Sequence, residues 1–208
     1  MEQQAAEKAA LVIVDVQNDF CTGGSLCVPE NEQIFEIINK LREDARFSHV
    51  FLTRDWHPTN HCSFHENNPG SELFKPITLP DTGMEQVMWP THCVQDSQGA
   101  QFHKDLIRKE SDIVVNKGML DRVDSYSGFG SHPEKTTLES LLREREINTI
   151  YCVGLAYDYC VGSTAVDGAK LGFKTYLLTD ATRSVAQPSH EAMDKRLQEA
   201  GVIQVKSD

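Results

Sequence analysis

The chain has 208 residues, 39% of them hydrophobic and 25% charged, with a mean hydropathy of -0.41, the profile of one soluble globular domain that can bury a full core without staples. Twenty Lys and Arg against 31 Asp and Glu leave a net charge of -11 at pH 7, and no basic run interrupts that excess, so a phosphate backbone is repelled and nucleic acid is excluded as a partner. The longest apolar stretch, Ala9 to Val14, falls far short of the ~20 residues of a spanning helix. The polar start MEQQAAEKAA lacks a signal peptide's apolar segment, so a cytoplasmic location away from membranes is expected. In that setting the six irregularly spaced cysteines are expected as reduced thiols, with a disulfide framework as the alternative.

In chain order, short β-branched runs alternate with segments of helical period, the pattern of a parallel sheet covered by helices on both faces. Strands are predicted at residues 10–16, 49–54, 113–116, 149–155, 174–178 and, weakly, 202–205. Helices are predicted at 31–44, with Asn31 as N-cap and an apolar stripe of Ile34, Ile37, Ile38 and Leu41, and then at 134–145, 160–171 and 189–200. The expectation is an α/β three-layer, doubly wound sandwich with a six-stranded, mainly parallel sheet, forming a single domain over 1–208. The stretch 56–101 breaks the alternation. It is rich in proline and histidine, and its Trp and Phe content argues against disorder, so it is expected to build a site.

In an open parallel sheet, ligands gather beyond the carboxyl ends of the strands. Asp15 closes the first predicted strand, Asp55 and His57 follow the second, Lys117 the third, and Cys160 the fourth after a Tyr-Asp-Tyr loop. A cysteine where a loop enters a helix is favoured as thiolate by the helix dipole, which makes Cys160 a candidate nucleophile; the alternative is a buried helix residue. Asp15, desolvated at a strand end, suits a group that takes and returns a proton, and Lys117 can supply its counter-charge, although a structural Asp-Lys ion pair reads the same way. Asp55 and His57, two apart on extended chain, share a side of the backbone and can meet one metal ion. His92, or His61, His65 and His103, can complete the set, with Ser63 and Glu66 as oxygen donors; zinc, iron and manganese all suit such ligands. Phe20, Trp89, Tyr126 and Phe129, with Leu155 at the end of the fourth strand, are candidate walls of a pocket for a flat ring.

The segments V14-D-V-Q-N-D-F20, T53-R-D-W-H-P58, W89-P-T-H-C93, N116-K-G118 and G154-L-A-Y-D-Y-C-V161 stand in one order, and together they resemble the nicotinamidase branch of the isochorismatase-like cysteine hydrolases over nearly the whole chain. The resemblance implies a triad of Asp15, Lys117 and Cys160 and one divalent metal, zinc foremost, held by Asp55, His57 and His92, with a further ligand at Ser63 or Glu66. It also implies a cis peptide at Leu155–Ala156 and an oxyanion hole from the backbone N–H groups of Ala156 and Cys160. The implied activity is hydrolysis of nicotinamide, and of pyrazinamide-like amides, by way of a thioester, in a chain that can associate with its own copies. The alternatives are a carbamoyl or ureido amidase of the same superfamily, or a relative that binds a metal or ligand without catalysis.

Overall fold

Strand β1 (Ala9–Val14) is buried at every residue because its two faces meet different cores. Leu11 and Ile13 pack with Ile34, Ile38 and Leu41 on one side. Ala10, Val12 and Val14 pack with Leu138, Leu142, Ala165 and Leu197 on the other. A strand covered on both faces reads as a continuous apolar run, which is why this segment shows no polar alternation.

The computed structural model describes residues 7–207; the first six residues of the polar start and Asp208 lie outside the described residues. Beyond β1 come α1 (Phe35–Leu41), β2 (Phe47–Asp55), the short strands β3 (Pro76–Thr78) and β4 (Glu85–Val87), then β5 (Ile113–Lys117), α2 (Leu138–Glu144), β6 (Thr149–Leu155), α3 (Gly162–Lys170), β7 (Lys174–Arg183), α4 (Gln187–Ala200) and β8 (Ile203–Val205). Among the described residues, six strands form one sheet in the order β5-β2-β1-β6-β7-β8, and every neighbouring pair is parallel. Helix α1 covers one face through Ile38 and Leu41, and α2, α3 and α4 cover the other. The doubly wound three-layer α/β fold is as expected.

The chain runs outward from β1 through β2 to β5, then returns to β6 on the opposite side of β1 and continues to β7 and β8. Strand order therefore reverses between β1 and β6. At such a switch point the loops beyond the strand ends splay apart and leave a crevice.

Several boundaries differ from expectation. The first strand stops at Val14 because Asp15 turns into the left-handed region, with φ 50°. The first helix is a 3-10 turn over Asn31–Ile34 followed by α1, and Asn31 does not cap it. The Asn31 amide instead donates to Val28 O at 2.8 Å and accepts from Thr22 N at 3.3 Å, which ties down the preceding loop. The helix expected from residue 134 begins at Leu138, since Glu134 is buried and engaged elsewhere. The stretch 56–101 carries the antiparallel β3–β4 pair, whose three-residue strands are too short to register as a period.

Candidate active site

Beyond the carboxyl ends of β1, β2, β5 and β6, four of the sequence candidates converge. The left-handed turn at Asp15 aims its carboxylate along the sheet rim, where Thr53 Oγ1 donates to Oδ1 at 2.7 Å. Lys117, the last residue of β5, is fully buried, and its Nζ lies 2.9 Å from Asp15 Oδ2. The same ammonium contacts Asp55 Oδ1, donates to Ser125 O at 2.9 Å and reaches Cys160 Sγ at 3.4 Å. A carboxylate oxygen of Asp15, one of Asp55 and Cys160 Sγ all lie within 4.8 Å of one another. The site thus holds one buried cation serving two buried carboxylates beside a thiol, an arrangement that keeps each charge paired out of water.

The electrostatics follow from that packing. Burial pushes the Asp15 carboxyl up, Lys117 pulls it down and Asp55 pushes it up again, leaving it at about 6. Asp55, although buried, is held well below the usual carboxylate range by Lys117 and His57. Lys117 stays charged, because Asp15 and Asp55 outweigh its desolvation. Burial also pushes the Cys160 thiol up, with Lys117 pulling the other way and Asp15 adding to the rise. This corrects the expected thiolate. Cys160 lies within a π-helical turn, Tyr157–Val161, before α3 begins at Gly162, and two nearby carboxylates oppose a sulfur anion there. Its proton needs an acceptor, and Asp15 is the one at hand.

Asp55, His57 and His92 also bring one ligand atom each within 4.8 Å of one another. His57 Nδ1 lies 2.7 Å from Gly118 O and His92 Nδ1 lies 2.8 Å from Pro90 O; a carbonyl can only accept, so both Nδ1 atoms carry the proton and each Nε2 is the ring atom left to face an ion. Burial pulls His57 down, but Asp55 outweighs it and raises it. Burial, then His57, pushes His92 down to about 4, which keeps it neutral. His57 Nε2 is buried without a hydrogen-bond partner and lies 3.6 Å from Asp55 Oδ2. A buried ring nitrogen without a hydrogen-bond partner, beside a carboxylate and a second imidazole nitrogen, is the donor set that a divalent cation needs, so the residues fit a metal ion.

The remaining histidines and oxygen donors divide clearly. His61 stacks on His57 with ring centroids 4.0 Å apart, but Ser63 Oγ and Val123 O occupy its two nitrogens at 2.8 and 3.2 Å. Ser63 is thus turned to His61. Glu66 is exposed and accepts from Thr91 Oγ1 at 2.9 Å; it belongs to none of the metal-competent clusters found among the described residues. His65 pairs with Ser71, and His103 stacks on Phe35.

A small cavity opens onto both groups, lined by Asp55, His92, Ala156 and Cys160 together with Phe20, Trp89, Tyr126 and Tyr159. Trp89 Nε1 donates to Tyr126 OH at 3.0 Å, and Trp89 meets Tyr159 edge-on at 4.9 Å. Two expected wall residues are absent from the lining. Leu155 shares the β6 face of Tyr151 and Val153, and the period of two sends it into the core. Phe129 instead stacks on Phe173 at 6.0 Å. The Leu155–Ala156 peptide is cis, as the resemblance implied.

Sequence reasoning missed the side chains that hold this arrangement through backbone atoms. Gln17 Nε2 donates to Asp55 O at 2.8 Å and to Ala100 O at 2.9 Å, while its Oε1 accepts from Asp55 N at 2.8 Å. Glu134 accepts from the N–H groups of Gly118 and Met119 at 2.8 and 2.7 Å, fixing the carbonyl that orients His57. Asp158 accepts from Val185 N and Ala186 N at 2.9 and 3.1 Å, anchoring the cavity wall at Val185. Asp124 and Leu26 were also missed in the lining. Gln17 and Asp158 stand inside two of the motifs, whereas Glu134 and Asp124 carried no sequence signal.

The model of the isochorismatase domain matches residues 9–208. A nicotinamidase of Escherichia coli is 43% identical over 188 residues, covering 88% of this chain and 87% of the relative. A solved nicotinamidase/pyrazinamidase of Acinetobacter baumanii superposes with a TM-score of 0.91 at 42% identity, covering 98% of each chain. A pyrazinamidase of Pyrococcus horikoshii solved in complex with zinc superposes with a TM-score of 0.78 at 34% identity, covering 96% of this chain and 99% of that one. The chain belongs to the isochorismatase family.

Proposed function

We propose that this chain is a nicotinamidase, a cysteine hydrolase that converts nicotinamide and water to nicotinate and ammonia. The observation that carries the reading is the meeting of Asp15, Lys117 and Cys160 with the Asp55–His57–His92 cluster at one aromatic-walled cavity. The nicotinamidases among its relatives support the choice of substrate, and the family match over residues 9–208 supports a single domain.

In this reading the pyridine ring lies among Phe20, Trp89 and Tyr126, with its carboxamide carbon over Cys160 Sγ. When bound by Asp55, His57 and His92, a divalent ion supplies a Lewis-acid anchor for the ring nitrogen; zinc is proposed, with the zinc complex of the Pyrococcus relative as support. Asp15 accepts the Cys160 proton as sulfur attacks the carboxamide carbon. The backbone N–H groups of Ala156 and Cys160 donate to the resulting oxyanion, each contributing about 3 kcal/mol. Asp15 then returns the proton to the departing nitrogen, ammonia leaves and a thioester remains. Water attacks the thioester while Asp15 takes its proton, the acyl–sulfur bond breaks, and nicotinate departs as sulfur regains its proton. Lys117 remains an ammonium throughout, holding the two carboxylates beside the sulfur.

The test is ammonia release from nicotinamide by the parent and by Cys160→Ala. The variant is expected to lose activity by at least about 10³-fold while its melting temperature stays near the parent's. Turnover retained by the variant, or a parent that releases ammonia from ureido substrates but not from nicotinamide, overturns the reading.

A further inference from the structure

We propose that Asp124 is the second carboxylate of the metal centre, facing the ion across the cavity and balancing its charge; the inference rests on the metal site of the reading above. Asp124 lines the cavity beside Asp55 and His92, and one of its oxygens lies within 4.8 Å of ring nitrogens of His57 and His61. Its Oδ2 is fixed by Gln86 Nε2 at 3.0 Å, and no donor engages Oδ1 among the described residues. Gln86, buried on β4, also reaches Tyr126 OH at 3.1 Å, so the carboxylate is held in place by a pocket wall and is not free to swing into solvent.

The second observation is His57 itself, the residue shared by the Asp55 and Asp124 clusters, whose Nε2 is wholly buried and without a hydrogen-bond partner. An ion held by His57 would have Asp55 among its donors and Asp124 on the lining of the same cavity. Charge counting points the same way. With the histidines neutral, Asp15, Asp55 and Lys117 carry one net negative charge; a divalent ion converts this to one net positive charge, and Asp124 restores neutrality. Because Asp55 already shares an oxygen with Lys117, it neutralises the ion only in part. A buried ion left with surplus charge is held weakly, so a second carboxylate at this distance strengthens metal retention, directly or by accepting hydrogen bonds from water on the ion.

The experiment is equilibrium competition between metal-stripped protein and a chromophoric chelator for Zn²⁺ and for Mn²⁺, comparing the parent, Asp124→Asn, Asp124→Ala, His92→Ala and the surface control Glu199→Gln. Both Asp124 variants are expected to bind each metal about 10- to 100-fold more weakly, with melting temperatures of the stripped proteins unchanged and Glu199→Gln matching the parent. Affinities of both Asp124 variants within twofold of the parent overturn the inference. His92→Ala separates the two failures: if it loses the metal and the Asp124 variants do not, only the role of Asp124 falls, whereas metal retained by His92→Ala removes the site itself.

Discussion

Asp15 has to be ionised to receive a proton and yet basic enough to hold it. Burial against Thr53 and Lys117 leaves it at about 6, closer to neutrality than an exposed carboxylate and so better matched to proton transfer near pH 7. The sign of the pH effect follows. Above about 6 the carboxylate is free to accept the Cys160 proton; below it the acceptor is already filled. We expect kcat/KM for nicotinamide to fall about tenfold per pH unit as pH drops below about 6, with Asp15→Asn inactive across the range. A pH–rate profile whose acid limb sits near 4 contradicts the assignment. The meeting of Asp15, Lys117 and Cys160 at the sheet rim was legible in the sequence because each member follows an apolar run that ends abruptly, a local signal of a strand meeting a rim. Gln17, Glu134 and Asp124 were not, since they act on Asp55, Gly118 and the cavity from far along the chain, and nothing local distinguishes them from solvated side chains. The thiol state of Cys160 was misread for a similar reason: a helix terminus is visible in sequence, but the carboxylates of Asp15 and Asp55 across the sheet are not.

At the level of the element, β6 is the strand on which the site depends. It lies between β1 and β7, is buried throughout and delivers the chain directly into the turn that carries Cys160. Its Gly154 has φ 111° and meets β1 so closely that an added Cβ would stand 2.1 Å from Val14 O. No rotation of a side chain relieves contact with backbone, so Gly154→Ala must push β1 and β6 apart at the switch point. We expect a loss of about 3 kcal/mol or more, read as a lower urea midpoint, together with a displaced Asp15 and reduced turnover even where the variant still folds. The six strands and most of the helical segments were readable from apolar period alone. The failures lie where geometry departs from regular period: the 3-10 entry to α1, the π turn before α3 and the three-residue strands within 56–101.

For the molecule as a whole, the excess of 31 acidic over 20 basic residues acts on charged ligands and spares neutral ones. Nicotinamide is uncharged, so kcat/KM is expected to change less than about twofold between 50 and 500 mM salt. Nicotinate is an anion, and its association should quicken as salt screens the surface; stopped-flow measurement of product binding at the two ionic strengths checks this. An on-rate for nicotinate that instead falls with salt would show a locally positive approach that the overall balance conceals. The strand order has a last consequence for how the molecule comes into being. Asp15, Asp55 and Lys117 are all synthesised before the strand that must wedge in beside β1, so in the proposed reading a nascent chain holds its acid, its ammonium and all of its metal donors while the sulfur nucleophile is still to be made. Catalytic competence therefore arrives in one late step, when the centre of the sheet is filled, and a chain truncated before that insertion has no partial activity to offer.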